Sequence, residues 1–100
     1  MKKPETAAIL DKKYIWHPFT QMRDWIKNKP IVLERGKGSI VWDERGREFI
    51  DANSSIWTNL HGHNHPKINR AIRDQLSRVS HVSSLGFANK PAAKLGERLM

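Results

Sequence analysis

Apolar residues along the chain fall into short stretches, each with its own periodicity, separated by polar, glycine- or proline-bearing segments. Residues 5–15 carry the helix formers Ala7, Ala8 and Leu10 behind Pro4, which predicts a short N-terminal helix. His17-Pro18 should end it, because a residue before proline avoids the α region. Phe19 to Trp25 then reads as irregular chain or one helical turn. From Pro30 the pattern becomes β-rich. Ile31 to Glu34, Ser39 to Trp42 and Arg47 to Asp51 are three predicted strands, with Gly36 and Gly38 between the first two and Asp43 to Gly46 between the last two. This spacing predicts a small antiparallel meander.

The stretch from Ala52 to His65 has no strand or helix periodicity and is rich in Asn, Ser, His and Gly around Trp57. Loops of this length carry function more often than scaffold. Beyond it, Pro66 stands where a first helical residue belongs. Ala71, Ile72, Leu76 and Val79 follow Ile68 at offsets of +3, +4, +8 and +11, one face of an amphipathic helix. Ser80 to Ala88 reads as a linker. Asn89 is a predicted N-cap with Pro91 just inside a second amphipathic helix through Ala92, Leu95 and Leu99. That helix reaches Met100 without a capping glycine, so the expectation is that the natural chain continues.

Composition narrows this picture only a little. One hundred residues suffice for one small core, and the patterned apolar stretches argue against disorder throughout, despite a mean hydropathy of −0.66. Eighteen Lys and Arg face ten Asp and Glu, for a net charge of +8 and a pI near 10.2. Such a balance keeps open a freestanding basic domain that binds nucleic acid, although the charges are scattered and no nucleic-acid motif accompanies them. The absence of cysteine excludes disulfides and thiolate metal sites. A charged start followed only by Ala7 to Leu10 is shorter than the roughly 7–15 apolar residues of a secretory signal. The expectation is therefore a cytoplasmic protein with no membrane partner.

His61, His63 and His65 alternate within His61-Gly62-His63-Asn64-His65-Pro66. They fit a metal site, for which no fourth ligand is evident, and equally a turn feeding a helix; the turn is the expectation. Gly36-Lys37-Gly38-Ser39 lacks the spacing of a phosphate loop and precedes a strand, so it reads as a hairpin turn. Trp16, Trp25 and Trp42 read as core or half-buried anchors. Trp57, inside a polar loop, and Phe19, after His-Pro, each fit a packing plug or a ligand contact.

Taken together, three segments resemble one family. They are His17-Pro18-Phe19-Thr20-Gln21-Met22, Asp51 through Ser54-Ser55-Ile56-Trp57, and Asn59 through His61-Gly62-His63-Asn64-His65-Pro66. The last is shared widely among class III pyridoxal-phosphate aminotransferases. The first two resemble the narrower 7,8-diaminononanoate synthases, the adenosylmethionine–8-amino-7-oxononanoate aminotransferases of biotin synthesis. The resemblance runs from Tyr14 to Met100.

It implies an α/β enzyme of fold type I, a homodimer that uses pyridoxal 5'-phosphate to move an amino group from a donor, S-adenosylmethionine or lysine, to 8-amino-7-oxononanoate. Residues 1–65 would belong to the small domain and carry a substrate-lining loop; residues 66–100 would lead into the large cofactor-binding domain. The fragment itself is expected to be α+β. In such enzymes the Schiff-base lysine and the phosphate site lie past residue 100. No catalytic residue, no cofactor-binding residue and no metal ligand is therefore assigned, and the fragment alone is expected to be inactive. The substrate-lining positions carry over to Phe19, Ile56 and Trp57. Members using S-adenosylmethionine show Tyr and Trp where this chain has Phe19 and Ile56, which points to lysine as donor. Another class III ω-amino-acid aminotransferase is the competing enzyme reading.

Overall fold

A computed structural model describes residues 6–100; Pro4 and Glu5, where the first helix was expected to begin, lie outside the described residues. Two helices come first, α1 (Ala7–Tyr14) and α2 (Met22–Lys27). Lys12 and Lys13 in the last turn of α1 complement its dipole. Of the two expectations for this segment, irregular chain or one helical turn, the helical one holds, and α2 extends it to Lys27. The Gln21 side chain accepts from the Arg23 N–H at 3.3 Å and satisfies one of the free donors at its start, so the chain can turn helical directly after the His-Pro break.

Three antiparallel strands follow, β1 (Leu33–Lys37), β2 (Ile40–Asp43) and β3 (Glu48–Ile50), in the order β1-β2-β3. The meander is as expected, but β1 starts two residues later than the apolar run and takes in Gly36. Its register slips between Leu33 and Arg35, which face Asp43 and Trp42. Glu34 is thus the extra residue of a bulge. Lys37 pairs with Ile40, which leaves Gly38-Ser39 as a two-residue turn, with Gly38 at φ 57° supplying the left-handed conformation. Asp43 closes the second turn. Its carboxylate accepts from the backbone N–H of Arg45 and Arg47, at 3.0 and 2.8 Å, and from Arg47 Nε at 2.7 Å.

Among the described residues, Val41 and Asp43 are the buried ones, at 7% and 2% exposure, so the core sits on β2. Trp42 is half-buried under the Arg35 guanidinium, whose carbon lies 4.2 Å from the ring centre, and Trp25 is half-buried as well. Trp16 departs from the expected anchor role and is exposed. The chain leaves α1 in extended backbone at Ile15, which carries the following indole outward.

The chain divides into two compact units between His65 and Pro66. The second contains α4 (Pro66–Leu76) and α5 (Lys90–Leu99). Asn89 caps α5 as expected, its side-chain oxygen accepting from the Ala92 N–H at 2.9 Å. Val79, expected on the face of α4, lies beyond its end, just past the turn at Ser77 and Arg78, although its N–H still bonds the Gln75 carbonyl at 3.0 Å. Ile68, Ile72, Leu76, Leu95 and Leu99 are all exposed, so each helix carries an exposed apolar stripe. Among the described residues no helix is long and apolar enough to cross a membrane.

Candidate functional site

The loop after β3 is built around a helical turn of unusual hand, α3 (Ser54–Trp57). Ser54, Ser55, Ile56 and Trp57 have φ of 51°, 51°, 60° and 65°. Ser55 and Ile56 have ψ of 49° and 60°, so the turn winds left-handed. Four successive L-residues in this region are costly, at roughly 1–2 kcal/mol each. Such a conformation persists only where its surroundings over-determine it, and those places are commonly functional.

Asp51, at the end of β3, supplies most of that determination. One carboxylate oxygen accepts from the Ser55 N–H at 3.0 Å. The other accepts from Ser55 Oγ at 3.0 Å and lies 2.8 Å from His63 Nε2. Asn59 Nδ2 donates to Ser55 Oγ at 2.9 Å and lies 3.3 Å from His63 Nδ1. With Nε2–H given to Asp51, His63 Nδ1 is free to accept from Asn59. Thr58 Oγ1 closes the turn on the Ser55 carbonyl at 3.0 Å.

His63 is itself fixed to the β1–β2 hairpin. Its N–H donates to the Gly38 carbonyl at 2.8 Å and its carbonyl accepts from the Gly38 N–H at 3.0 Å. A β-carbon on Gly62 would come within 2.9 Å of the Gly38 backbone, so the close approach needs glycine there. The Ser55 N–H and the His63 ring hold the Asp51 carboxyl below its ordinary value of 3.8, against a smaller opposing effect of burial.

A hollow of about 540 Å³ opens beside this network, lined by Leu33, Val41 and Phe49 from the sheet and by Asp51, Ile56 and His63. Its wall is mostly apolar with a few convergent polar groups, the usual make-up of a small-molecule site. Among the expected site residues, Ile56 lines the hollow and is 70% exposed. Trp57, the next residue on α3, is not among the lining residues and is 82% exposed. Phe19 lies elsewhere in this unit, on the turn between α1 and α2, with φ 49° and a fully exposed ring.

That turn has its own anchor. Asp11 accepts from Trp25 Nε1 at 3.0 Å and lies 3.0 Å from His17 Nε2, tying α1 to α2 across the Phe19 turn. Sequence reasoning missed both carboxylates as site residues. For Asp51 a signal existed, since an aspartate followed by serines at +3 and +4 is a backbone-capping pattern. For Asp11, six residues from His17 across a proline break, no comparable signal exists. Among the described residues no three His, Asp, Glu or Cys side chains converge as a metal cluster.

Solved structures similar to this chain include transaminases. The adenosylmethionine-8-amino-7-oxononanoate aminotransferase of Methanocaldococcus jannaschii matches with TM-score 0.85 and 43% identity, over 89% of this chain and 20% of that one. The omega transaminase of Pseudomonas jessenii in complex with PMP matches with TM-score 0.87 and 25% identity, over 95% of this chain and 21% of that one.

The family described as Aminotransferase class-III matches residues 22–100, and the chain belongs to that family of pyridoxal-phosphate enzymes. The adenosylmethionine-8-amino-7-oxononanoate aminotransferase of Aquifex aeolicus is 48% identical over 97% of this chain. The chain spans about a fifth of the length of that relative (21%).

Pyridoxal phosphate needs a cation for its phosphate, an amine for a Schiff base and a partner for its pyridine nitrogen. Neither lysine nor arginine lines it, so it offers no cation for a phosphate and no amine for a Schiff base. The one carboxylate, Asp51, is already engaged by the Ser55 N–H, the Ser55 hydroxyl and the His63 ring. These residues do not fit the cofactor.

Proposed function

We propose that the chain is the N-terminal part of an aminotransferase that converts 8-amino-7-oxononanoate to 7,8-diaminononanoate in biotin synthesis. The 48% identity along nearly the whole chain to a relative named for that reaction carries this reading. In the full-length enzyme pyridoxal phosphate supplies the electron sink for amino transfer. Residues 1–65 contribute to the small domain and residues 66–100 lead into the large one. The complete protein is a cytoplasmic homodimer.

Ile56, Trp57 and Phe19 line the substrate. Their exposed apolar surfaces suit the long methylene chain of 8-amino-7-oxononanoate, at about 0.8 kcal/mol per buried methylene. The donor is lysine or S-adenosylmethionine. Phe19 and Ile56, standing where the adenosylmethionine-using pattern has larger or hydroxylated aromatics, favour lysine.

The test is turnover by the full-length protein supplied with pyridoxal phosphate, 8-amino-7-oxononanoate and each donor in turn. Formation of 7,8-diaminononanoate, with KM for the keto acid raised in Trp57→Ala and Ile56→Ala, supports the reading. Turnover of simple ω-amino acids with no activity on 8-amino-7-oxononanoate would assign the chain to a different class III activity.

A further inference from the structure

We propose that Asp51, with His63 as its brace, is a positioning residue: it holds Ser55 so that the left-handed turn presents Ile56 and Trp57 to the substrate. This rests on the reading that Ile56 and Trp57 line the substrate, and extends it to residues that touch neither substrate nor cofactor.

The geometry is a relay with fixed ends. At one end the His63 backbone is bridged in both directions to Gly38 of the hairpin turn, and a β-carbon on Gly36 would meet His63 Cβ and Cγ at 2.8 Å. The ring therefore has little freedom to leave the sheet. At the other end, Ser55 is gripped twice by Asp51, through its N–H and its hydroxyl, immediately before Ile56. Between them a 2.8 Å contact joins His63 Nε2 to the same Asp51 oxygen that takes the Ser55 hydroxyl. Asn59 links Ser55 and His63 directly, so the cluster closes on itself. The Ser55 hydroxyl and the His63 Nε2 both meet the same Asp51 oxygen, so that side of the carboxylate is engaged within the cluster. What the cluster fixes is backbone, and the backbone it fixes is the stretch that carries Ile56 and Trp57 in a conformation they would not otherwise hold.

The experiment measures kcat and KM of the full-length enzyme for 8-amino-7-oxononanoate, together with the visible absorbance of the bound cofactor. Asp51→Asn should raise KM about tenfold or more, the scale of a misplaced binding group, while kcat and the cofactor band change much less. His63→Phe keeps a ring over Gly36 but loses the donor, and Ser55→Ala removes one hydroxyl. Both should shift KM the same way, so the reading survives if Asp51→Asn does not fold. His63→Gln, which can still donate, should recover most of the loss. Adding Asp51→Asn to the Ile56→Ala, Trp57→Ala double variant should raise KM little further, because Asp51 acts through the two side chains that the turn presents.

If Ile56→Ala and Trp57→Ala leave KM unchanged, the substrate-lining reading fails. If they raise it while Asp51→Asn, His63→Phe and Ser55→Ala do not, the positioning role fails and the lining reading stands. A loss of kcat or of the cofactor band with KM unchanged would also overturn the positioning role.

Discussion

His63 occupies the space that a side chain on Gly36 would need: a β-carbon there would lie 2.8 Å from His63 Cβ and 2.8 Å from Cγ. The clash is with the root of the side chain, which cannot swing away while the His63 backbone is bonded to Gly38. Gly36→Ala should therefore destabilise by about 1–3 kcal/mol, the usual cost of overpacking. In a His63→Gly background, which removes both contacting carbons, the same change should cost well under half as much. Urea denaturation of the four proteins decides it, and equal costs in both backgrounds would remove the steric explanation.

Acid should act first through the carboxylates that fold the β-turn and the loop. Burial alone would raise the Asp43 carboxyl. The Arg47 backbone N–H, the Arg47 guanidinium and the Arg45 N–H outweigh it and hold the group below its ordinary 3.8. The folded value is thus lower than the unfolded one, and the unfolded chain binds more protons between the two. The stabilisation is fully present above about 3.8 and is lost as pH falls through the lowered folded value. Arg47→Ala removes the charged donor, so its acid unfolding should begin at higher pH than that of the parent. Identical acid transitions would contradict the pairing.

The Asp11 carboxylate should prove as important to the His-Pro turn as the proline. The His17 and Trp25 rings lie 4.3 Å apart between centres, and both reach Asp11. Asp11→Ala leaves Trp25 Nε1 without its acceptor and frees α1 from α2. Amide exchange over residues 15–20 should rise, with the indole N–H exchanging faster as well. Unchanged exchange at both would show that the turn holds without the carboxylate.

What could be read from the sequence was whatever repeats or punctuates. The meander, the amphipathic faces of α4 and α5 and the Asn89 cap all follow from local periodicity and cap chemistry. The start of β1 was misplaced because the bulge at Glu34 is set by pairing with β2, which no local window contains. Val79 was misassigned because the apolar spacing runs past the turn that ends α4. The left-handed turn was invisible for a stronger reason. Its residues Ser54, Ser55, Ile56 and Trp57 include no glycine or asparagine, the residue types that normally announce positive φ. The conformation is imposed by Asp51 and, through it, by a histidine twelve residues away in the chain. Motif resemblance singled out Ile56 and Trp57 while giving no role to the carboxylate that holds them.

The amino donor is the last test, and it follows from the two departures at Phe19 and Ile56. An adenine ring gains from stacking on flat aromatic faces, about 0.5–1.5 kcal/mol per aromatic pair beyond area burial. Ile56 offers no such face beside Trp57, and Phe19 has no phenol to hydrogen-bond a polar donor group. Each loss changes relative affinity by up to about tenfold, enough to alter preference between donors without abolishing either reaction. Lysine, with a flexible methylene chain, needs no second aromatic face. The full-length enzyme should therefore show a higher kcat/KM with lysine than with S-adenosylmethionine. Ile56→Trp combined with Phe19→Tyr should move the ratio about tenfold or more toward S-adenosylmethionine. Because Ile56 has φ 60°, a tryptophan there enters the same strained turn, so the double variant is informative only while KM for 8-amino-7-oxononanoate stays near its parent value. A parent enzyme that already prefers S-adenosylmethionine by a wide margin would refute the donor assignment and leave the acceptor untouched.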